Sequence, residues 1–234
     1  MESQRLKVAI VDISMGNLFS IKQACGQAGL DGHITSSREE IQSADAVILP
    51  GVGAFGDAMA VLRQRNLVDT LRAMALSGKP FFGICLGMQL LMQKSYEFGE
   101  HEGLGIIKGE VIRFNKPVDP KTGQNLKVPQ VGWNHIYRPS NPGKDPWQDT
   151  FLEGMKDQEY MYFVHSFHVQ LQDSSQALSL TKYGHIEFAS SLQHGNIMAC
   201  QYHPERSGVK GMEIYKNIAE MIKNKQRVMI TNLK

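Results

Sequence analysis

The sequence predicts an α/β fold, a central and mostly parallel sheet with an antiparallel extension. Up to Cys85, short apolar runs alternate with amphipathic helical stretches, the pattern of parallel strands joined by crossover helices. Beyond Gly105 the pattern changes to short strand-like runs separated by Gly-containing turns, which suits antiparallel strands added to the parallel part. No repeat, low-complexity run or linker divides the chain, so residues 1–234 are expected to form one domain.

In order, residues 8–12 read as a first buried strand, closed by a turn through Gly16 and Asn17. Residues 18–28 follow as a helix with Leu18, Ile21, Ala24, Cys25 and Ala28 on one face, stopped at Gly29. Residues 33–35 suit a short strand, 38–42 a short helix and 46–49 a buried strand. A turn over 50–56 precedes two helical stretches, 58–65 and 67–77. Residues 81–84 are long enough for one buried strand, and 86–92 carry helix formers with apolar residues at helical spacing. Residues 106–114 alternate like a half-exposed strand, and 158–164, 177–183, 186–192 and 196–201 are further short strands. Segments 116–124 and 140–150, rich in Pro, Gly and Asp, read as surface loops. An amphipathic helix over 211–225 closes the fold, with the basic stretch 223–227 as its solvated last turn.

Composition excludes several classes. With 42% hydrophobic and 21% charged residues the chain is an ordinary globular sequence. Its net charge is +2 without a basic block, so nothing points to nucleic acid. Three cysteines, Cys25, Cys85 and Cys200, have no paired spacing and do not suggest a disulfide framework. The first residues enter a strand directly without an apolar signal core, and no apolar run approaches a membrane span. The expectation is a cytoplasmic protein without a membrane partner.

Cys85 sits between a strand and a helix with Gly83 and Gly87 two residues to either side. A Gly-x-Cys-x-Gly joint has the form of a nucleophile elbow, in which a tight turn projects one side chain at the carboxyl end of the sheet. A helix N-terminus favours the thiolate, the nucleophilic form, and the Leu86 N–H is placed to donate to an oxyanion. The same residues also suit an ordinary βα turn with a buried thiol. A nucleophile needs a base and an orienting acid. Tyr202-His203-Pro204-Glu205 supplies both types: in extended backbone Glu205 lies on the same side as His203, and a carboxylate on Nδ1 leaves Nε2 free to serve the thiol. An exposed turn with a surface Glu–Arg pair is the competing reading. Pro50-Gly51-Val52-Gly53 begins a G-x-G-x-x-G pattern, but no acidic residue stands at the end of a following strand as dinucleotide binding requires. A nest of N–H groups beside the elbow, with Val52 as second oxyanion donor between Gly51 and Gly53, fits better. His165 and His168, three apart without a companion cluster, are poor evidence for zinc, so no metal and no cofactor is expected.

Gly83-Ile84-Cys85-Leu86-Gly87-Met88-Gln89 together with Tyr202-His203-Pro204-Glu205 resembles the class I glutamine amidotransferases, which carry a Cys-His-Glu triad. Pro50-Gly51-Val52-Gly53, Val128-Pro129-Gln130-Val131-Gly132-Trp133-Asn134 and Tyr162-Phe163-Val164-His165-Ser166 narrow the resemblance to the glutaminase subunits of imidazole glycerol phosphate synthase in histidine biosynthesis. It spans residues 7–222. Three departures stand out: Gln130 where family members usually have histidine, Phe167-His168 where they are richer in tyrosine, and Ala199-Cys200-Gln201-Tyr202 in place of Gly-Val-Gln-Phe.

The resemblance implies a sheet flanked by helices and hydrolysis of the L-glutamine side-chain amide by Cys85, His203 and Glu205. It adds Gln89 and Glu97 as contacts to the amino-acid end of the substrate, with backbone near His165, Ser166 and Phe167. It also implies a heterodimer with a (β/α)8-barrel cyclase subunit that receives the ammonia. Gly132, Trp133 and Asn134, with Gln130, are the candidate contacts, although Trp133 would equally suit core packing. Three other readings remain open at this point. One is a paralogous glutaminase supplying amidino-sugar synthesis or another class I acceptor. The others are a γ-glutamyl hydrolase and a catalytically silent regulatory subunit.

Overall fold

The computed structural model describes residues 6–140 and 145–231, with side chains described through Lys225. The elements in order are β1 (Lys7–Val11), α1 (Leu18–Gln27), β2 (Asp31–Thr35), α2 (Arg38–Ser43), β3 (Ala46–Gly51), α3 (Phe55–Gln64), α4 (Val68–Leu76), β4 (Phe81–Cys85) and α5 (Leu86–Leu90). There follow β5 (Lys94–Ser95), β6 (His101–Glu102), β7 (Gly109–Arg113), β8 (Gln130–Ile136), β9 (Glu159–His165), β10 (Phe167–Leu171), β11 (Ala177–Tyr183), β12 (Ile186–His194), β13 (Ile197–Cys200) and α6 (Gly208–Thr231).

Seven strands form the main sheet in the order β11-β12-β13-β4-β3-β1-β2. β2, β1, β3, β4 and β13 run parallel, and β12 and β11 turn back antiparallel at one edge. The period of two in each strand divides the core. Ile10, Ile48, Phe82 and Ile84 face α1 and α6, whereas Val11, Leu49 and Phe81 face α3, α4 and α5. Both faces are covered, which is why these strands read as continuous apolar runs. No helix among the described residues is long and apolar enough to cross a membrane.

Several expectations need correction. The strand over 196–201 is not antiparallel to its whole surroundings: as β13 it pairs parallel with β4, in the register Cys200↔Ile84. The strands over 106–114 and 158–164 do not extend the main sheet. β7 joins a four-stranded sheet of order β10-β7-β5-β6, and β9 pairs with β8 in a two-stranded sheet. β5, β6, β8 and β10 were not legible as strands, since the first two have two residues each and β8 mixes Gly132, Asn134 and His135 into its run. The helix expected over 86–92 stops at Leu90, because the Leu90 and Leu91 carbonyls bond back to Leu104, Ile106 and Ile107 and turn the chain.

The loop expected over 140–150 is not all surface; residues 141–144 lie outside the described residues, but Trp147 is fully buried. Its indole Nε1 donates to the Leu178 carbonyl at 2.7 Å, and the Arg138 guanidinium lies 4.3 Å from its ring centroid. Phe151, Leu152 and Met155 follow it into the core. Proline and aspartate marked the turn-rich backbone correctly but said nothing of the aromatic plug it carries.

Candidate active site

The carboxyl ends of β3 and β4 lie side by side, with Gly51 opposite Cys85 in the parallel ladder. Cys85 itself has φ 55 and ψ −109, a conformation that costs a non-glycine residue about 1–3 kcal/mol and that clusters at functional sites. Gly87 is obligatory: a Cβ there would lie 1.7 Å from the Leu49 carbonyl oxygen, so only hydrogen lets α5 start against β3. Gly53, at φ +103, turns the loop after β3 in a way that L side chains resist. Val52, between the two glycines, is partly exposed, and Leu86 is buried at the first position of α5.

The partner groups arrive from the far end of the chain. Because β13 is β4's neighbour, the segment that leaves it passes beside Cys85. His203 Nδ1 lies 2.8 Å from Glu205 Oε1, with both side chains almost completely buried. A short 3-10 turn, Pro204–Arg206, sets the two on one side. The segment is clamped to β9, since His203 N–H donates to the Tyr162 carbonyl at 2.9 Å. Ser207 Oγ donates to the His203 carbonyl and accepts from Tyr162 N–H.

His203 Nε2 is buried and completes no hydrogen bond of good geometry, yet the Cys85 sulfur is near enough to govern its charge. Burial opposes the imidazolium, but the negative Cys85 and the Glu205 carboxylate outweigh it and push the His203 pKa up to about 10. The arrangement therefore favours a protonated His203 beside Cys85, with Glu205 behind it.

Cys85 has two further neighbours. Its sulfur is 3.9 Å from the Val164 carbonyl oxygen and 3.6 Å from Gln201 Nε2. Gln201 Oε1 accepts from Gln89 Nε2 at 3.0 Å, and Gln89 Nε2 also donates to the Phe167 carbonyl at 3.0 Å. Gln201 escaped the sequence reading, although a signal existed: two residues before His203, it shares that residue's side of an extended chain. The Val164 carbonyl carried no signal, because backbone placement depends on how β9 packs.

The other sequence-derived residues are spread around this centre. Glu97 Oε2 accepts from Phe55 N–H at 2.7 Å and thereby caps α3, just after the Gly51-Val52-Gly53 loop. His165 is buried, with Nδ1 2.8 Å from the Phe167 carbonyl oxygen and no partner at Nε2. Burial holds its pKa down to about 3, so it is neutral with the proton on Nδ1. The Ser166 carbonyl accepts from Phe114 N–H and belongs to the ladder.

On the β8–β9 ribbon the period of two separates the expected contact residues. Trp133 and its neighbour Val131 face outward and are more than half exposed, as is Tyr160 on β9, so core packing does not apply to Trp133. Gln130 and Asn134 face inward: Gln130 is buried opposite His165 with Oε1 unpartnered, and Asn134 Nδ2 donates to the Lys182 carbonyl. Gly132 adopts φ +131 between them. Among the described residues, no group of three or more His, Cys, Asp or Glu side chains is placed to hold a metal ion. A cavity of about 1230 Å³ between β10 and β12 contains none of Cys85, His203 or Glu205.

A cysteine on a strained strand–helix turn, with a buried His–Glu pair beside it at the carboxyl ends of a parallel sheet, has the groups that thiol-dependent amide cleavage requires. Residues 9–221 match the family model for glutamine amidotransferase class-I, and the chain belongs to that family. Among its relatives is the imidazole glycerol phosphate synthase subunit HisH of Sulfurimonas denitrificans, 44% identical over 91% of this chain and 97% of that protein. The protein of the same name from Aquifex aeolicus is 43% identical over 91% of this chain and 95% of that one. Solved structures share the fold. A glutamine amidotransferase superimposes with a TM-score of 0.67 at 17% identity, covering 92% of this chain and 98% of that chain. PurLQS from Thermotoga maritima superimposes with a TM-score of 0.69 at 18% identity, covering 94% of this chain and 100% of that chain.

Proposed function

We propose that this chain is the glutaminase subunit of an imidazole glycerol phosphate synthase, a single amidotransferase domain that hydrolyses L-glutamine and passes ammonia to a (β/α)8-barrel cyclase in a cytoplasmic heterodimer. The observation that carries the chemistry is Cys85 on its strained turn with the buried His203–Glu205 pair beside it. The acceptor assignment rests on relatives of that name matching over nine-tenths of the chain.

In this reading the Cys85 thiolate attacks the carboxamide carbon of glutamine. The oxyanion is held by the N–H groups of Leu86 and Val52, the latter within the permissive Gly51–Gly53 loop. The His203 imidazolium, held in orientation by Glu205 at Nδ1, gives its Nε2 proton to the departing ammonia, the C–N bond breaks and a thioester is left on Cys85. Neutral His203 then draws a proton from water, which attacks the thioester and releases glutamate. Gln89 and Glu97, with backbone at His165, Ser166 and Phe167, hold the amino-acid end. Ammonia released to water would become ammonium and lose its nucleophilicity, so the reaction needs an acceptor protein docked on the open side. The outward Val131, Trp133 and Tyr160 face of the ribbon, continuous at Gly132 and at inward Gln130 and Asn134 with the site's own wall, suits that contact.

The test is to mix the chain with glutamine and a barrel cyclase and to measure glutamate release together with the cyclised product. Rapid coupled turnover is expected with the cyclase and little without it, the Gly51-Val52 peptide being free to reorient when the partner docks. Unchanged activity in Cys85→Ala would reject the mechanism. One observation favours a second acceptor, a paralogous amidino-sugar synthase: Gln130 stands where this subfamily usually has histidine. Turnover stimulated by that synthase and not by the cyclase would select it.

A further inference from the structure

Cys85 lies between one acceptor and one donor that the triad does not include. The Val164 carbonyl oxygen, 3.9 Å away, can only accept and so serves the neutral thiol. Gln201, fully buried, presents its side-chain amide on another side at 3.6 Å. The orientation of that amide is set by a relay. The Phe167 carbonyl only accepts, so Gln89 must turn its NH2 group toward it, and the second N–H of that group points at Gln201. Gln201 must answer with its carbonyl oxygen, which leaves its own NH2 facing the sulfur. The reverse orientation would set two NH2 groups against each other in a place sealed from water.

We propose that Gln201 is a positioning residue for the nucleophile: its N–H donates to the Cys85 thiolate, and its carbonyl oxygen ties that sulfur to Gln89. The assignment rests on the glutaminase reading and deepens it. A donor to an ionised sulfur is stronger than one to a thiol, so the contact counts most in the reactive form. Both N–H groups of Gln89 are consumed inside the protein, and its carbonyl oxygen is what it can offer a substrate N–H. A substrate donating there would polarise the Gln89 amide, and through Gln201 strengthen the donor at the sulfur. Occupancy of the substrate end and readiness of the nucleophile are thereby linked by two side chains. The other titratable groups that act on the sulfur are His203, from the turn after β13, and Cys200 from β13 itself; Glu205 acts behind His203, and His165 from β9 acts on His203.

The test is the pH dependence of iodoacetamide alkylation at Cys85, followed by mass spectrometry on the full chain, in Gln201→Met and Gln201→Leu. Loss of the donor is expected to move the midpoint of the profile up by about one pH unit and to slow alkylation at neutral pH about tenfold. Gln89→Met, which frees Gln201 to turn, is expected to shift it in the same direction by less. An unchanged midpoint in a Gln201→Met chain with native circular dichroism would overturn the assignment, and so would an effect confined to KM and melting temperature. If Gln201→Met fails to fold, Gln201→Leu, likewise without a donor or a charge, decides in the same way. Alkylation requires no glutaminase turnover: an unshifted profile with active enzyme sinks the role of Gln201 alone, whereas a native chain inactive with every acceptor sinks the glutaminase reading.

Discussion

Glu205 holds the proton of His203 on Nδ1 through a 2.8 Å bond, and the tautomer this fixes is the one that turns Nε2 to the sulfur. Glu205→Gln keeps the shape but can offer its own N–H to the ring, inverting the tautomer. The expected result is a fall in kcat of about 10²–10⁴-fold with little change in stability, measured as glutamate release in the presence of the acceptor subunit. A kcat within error of the native value would show that the ring is oriented by its backbone clamps alone. Strain at Cys85 is the other feature at this scale. Gly-x-Cys-x-Gly suggested a tight turn in the sequence, but the same spacing also suits an ordinary βα turn, and only the backbone angles at Cys85 separate the two.

The turn from β4 to α5 depends on one missing methyl group. Gly87→Ala would force a carbon into the Leu49 carbonyl, and either β3 or α5 has to retreat. A loss of about 3 kcal/mol or more is expected by urea denaturation. Native stability would mean that α5, only five residues long, shifts freely. The β8–β9 ribbon makes the opposite prediction, since Trp133 stands on its outer face. Trp133→Ala is expected to leave the melting temperature of the isolated chain in place while weakening the acceptor subunit's binding by roughly 2 kcal/mol, about 30-fold in Kd by titration calorimetry. A drop in melting temperature with unaltered Kd would return Trp133 to a packing role.

Across the molecule, burial of neutral His165 couples folding to acid. Its pKa is about 3 in the fold against an ordinary 6.5, so between those values the unfolded chain binds a proton that the folded chain refuses. That contribution to stability is fully present above pH 6.5 and is lost as pH falls toward 3, at about 1.4 kcal/mol per unit. Buried His168, also shifted down by desolvation, adds in the same sense. His165→Gln should flatten the acid limb of a stability–pH curve obtained from urea melts. An acid limb as steep as the native one would assign the loss to other groups.

The parallel half was legible because each of its strands is buried on both faces and each helix repeats its apolar stripe, so local pattern and tertiary role coincide. The Cys85, His203 and Glu205 types were legible for a related reason: glycine spacing and the His-Pro-Glu turn are local requirements of backbone geometry. The second half was not. Whether 158–164 joins the main sheet or pairs with 130–136, and whether Trp147 lies on the surface or in the core, depends on partners far along the chain. The sequence alone determined the fold class, the elbow and the chemistry its residues can perform. Only the tertiary structure decided that β13 lies parallel to β4, and with it that His203, Glu205 and Gln201 come to surround a cysteine more than a hundred residues earlier. Strand adjacency is a long-range choice made by packing, and no local pattern encodes it.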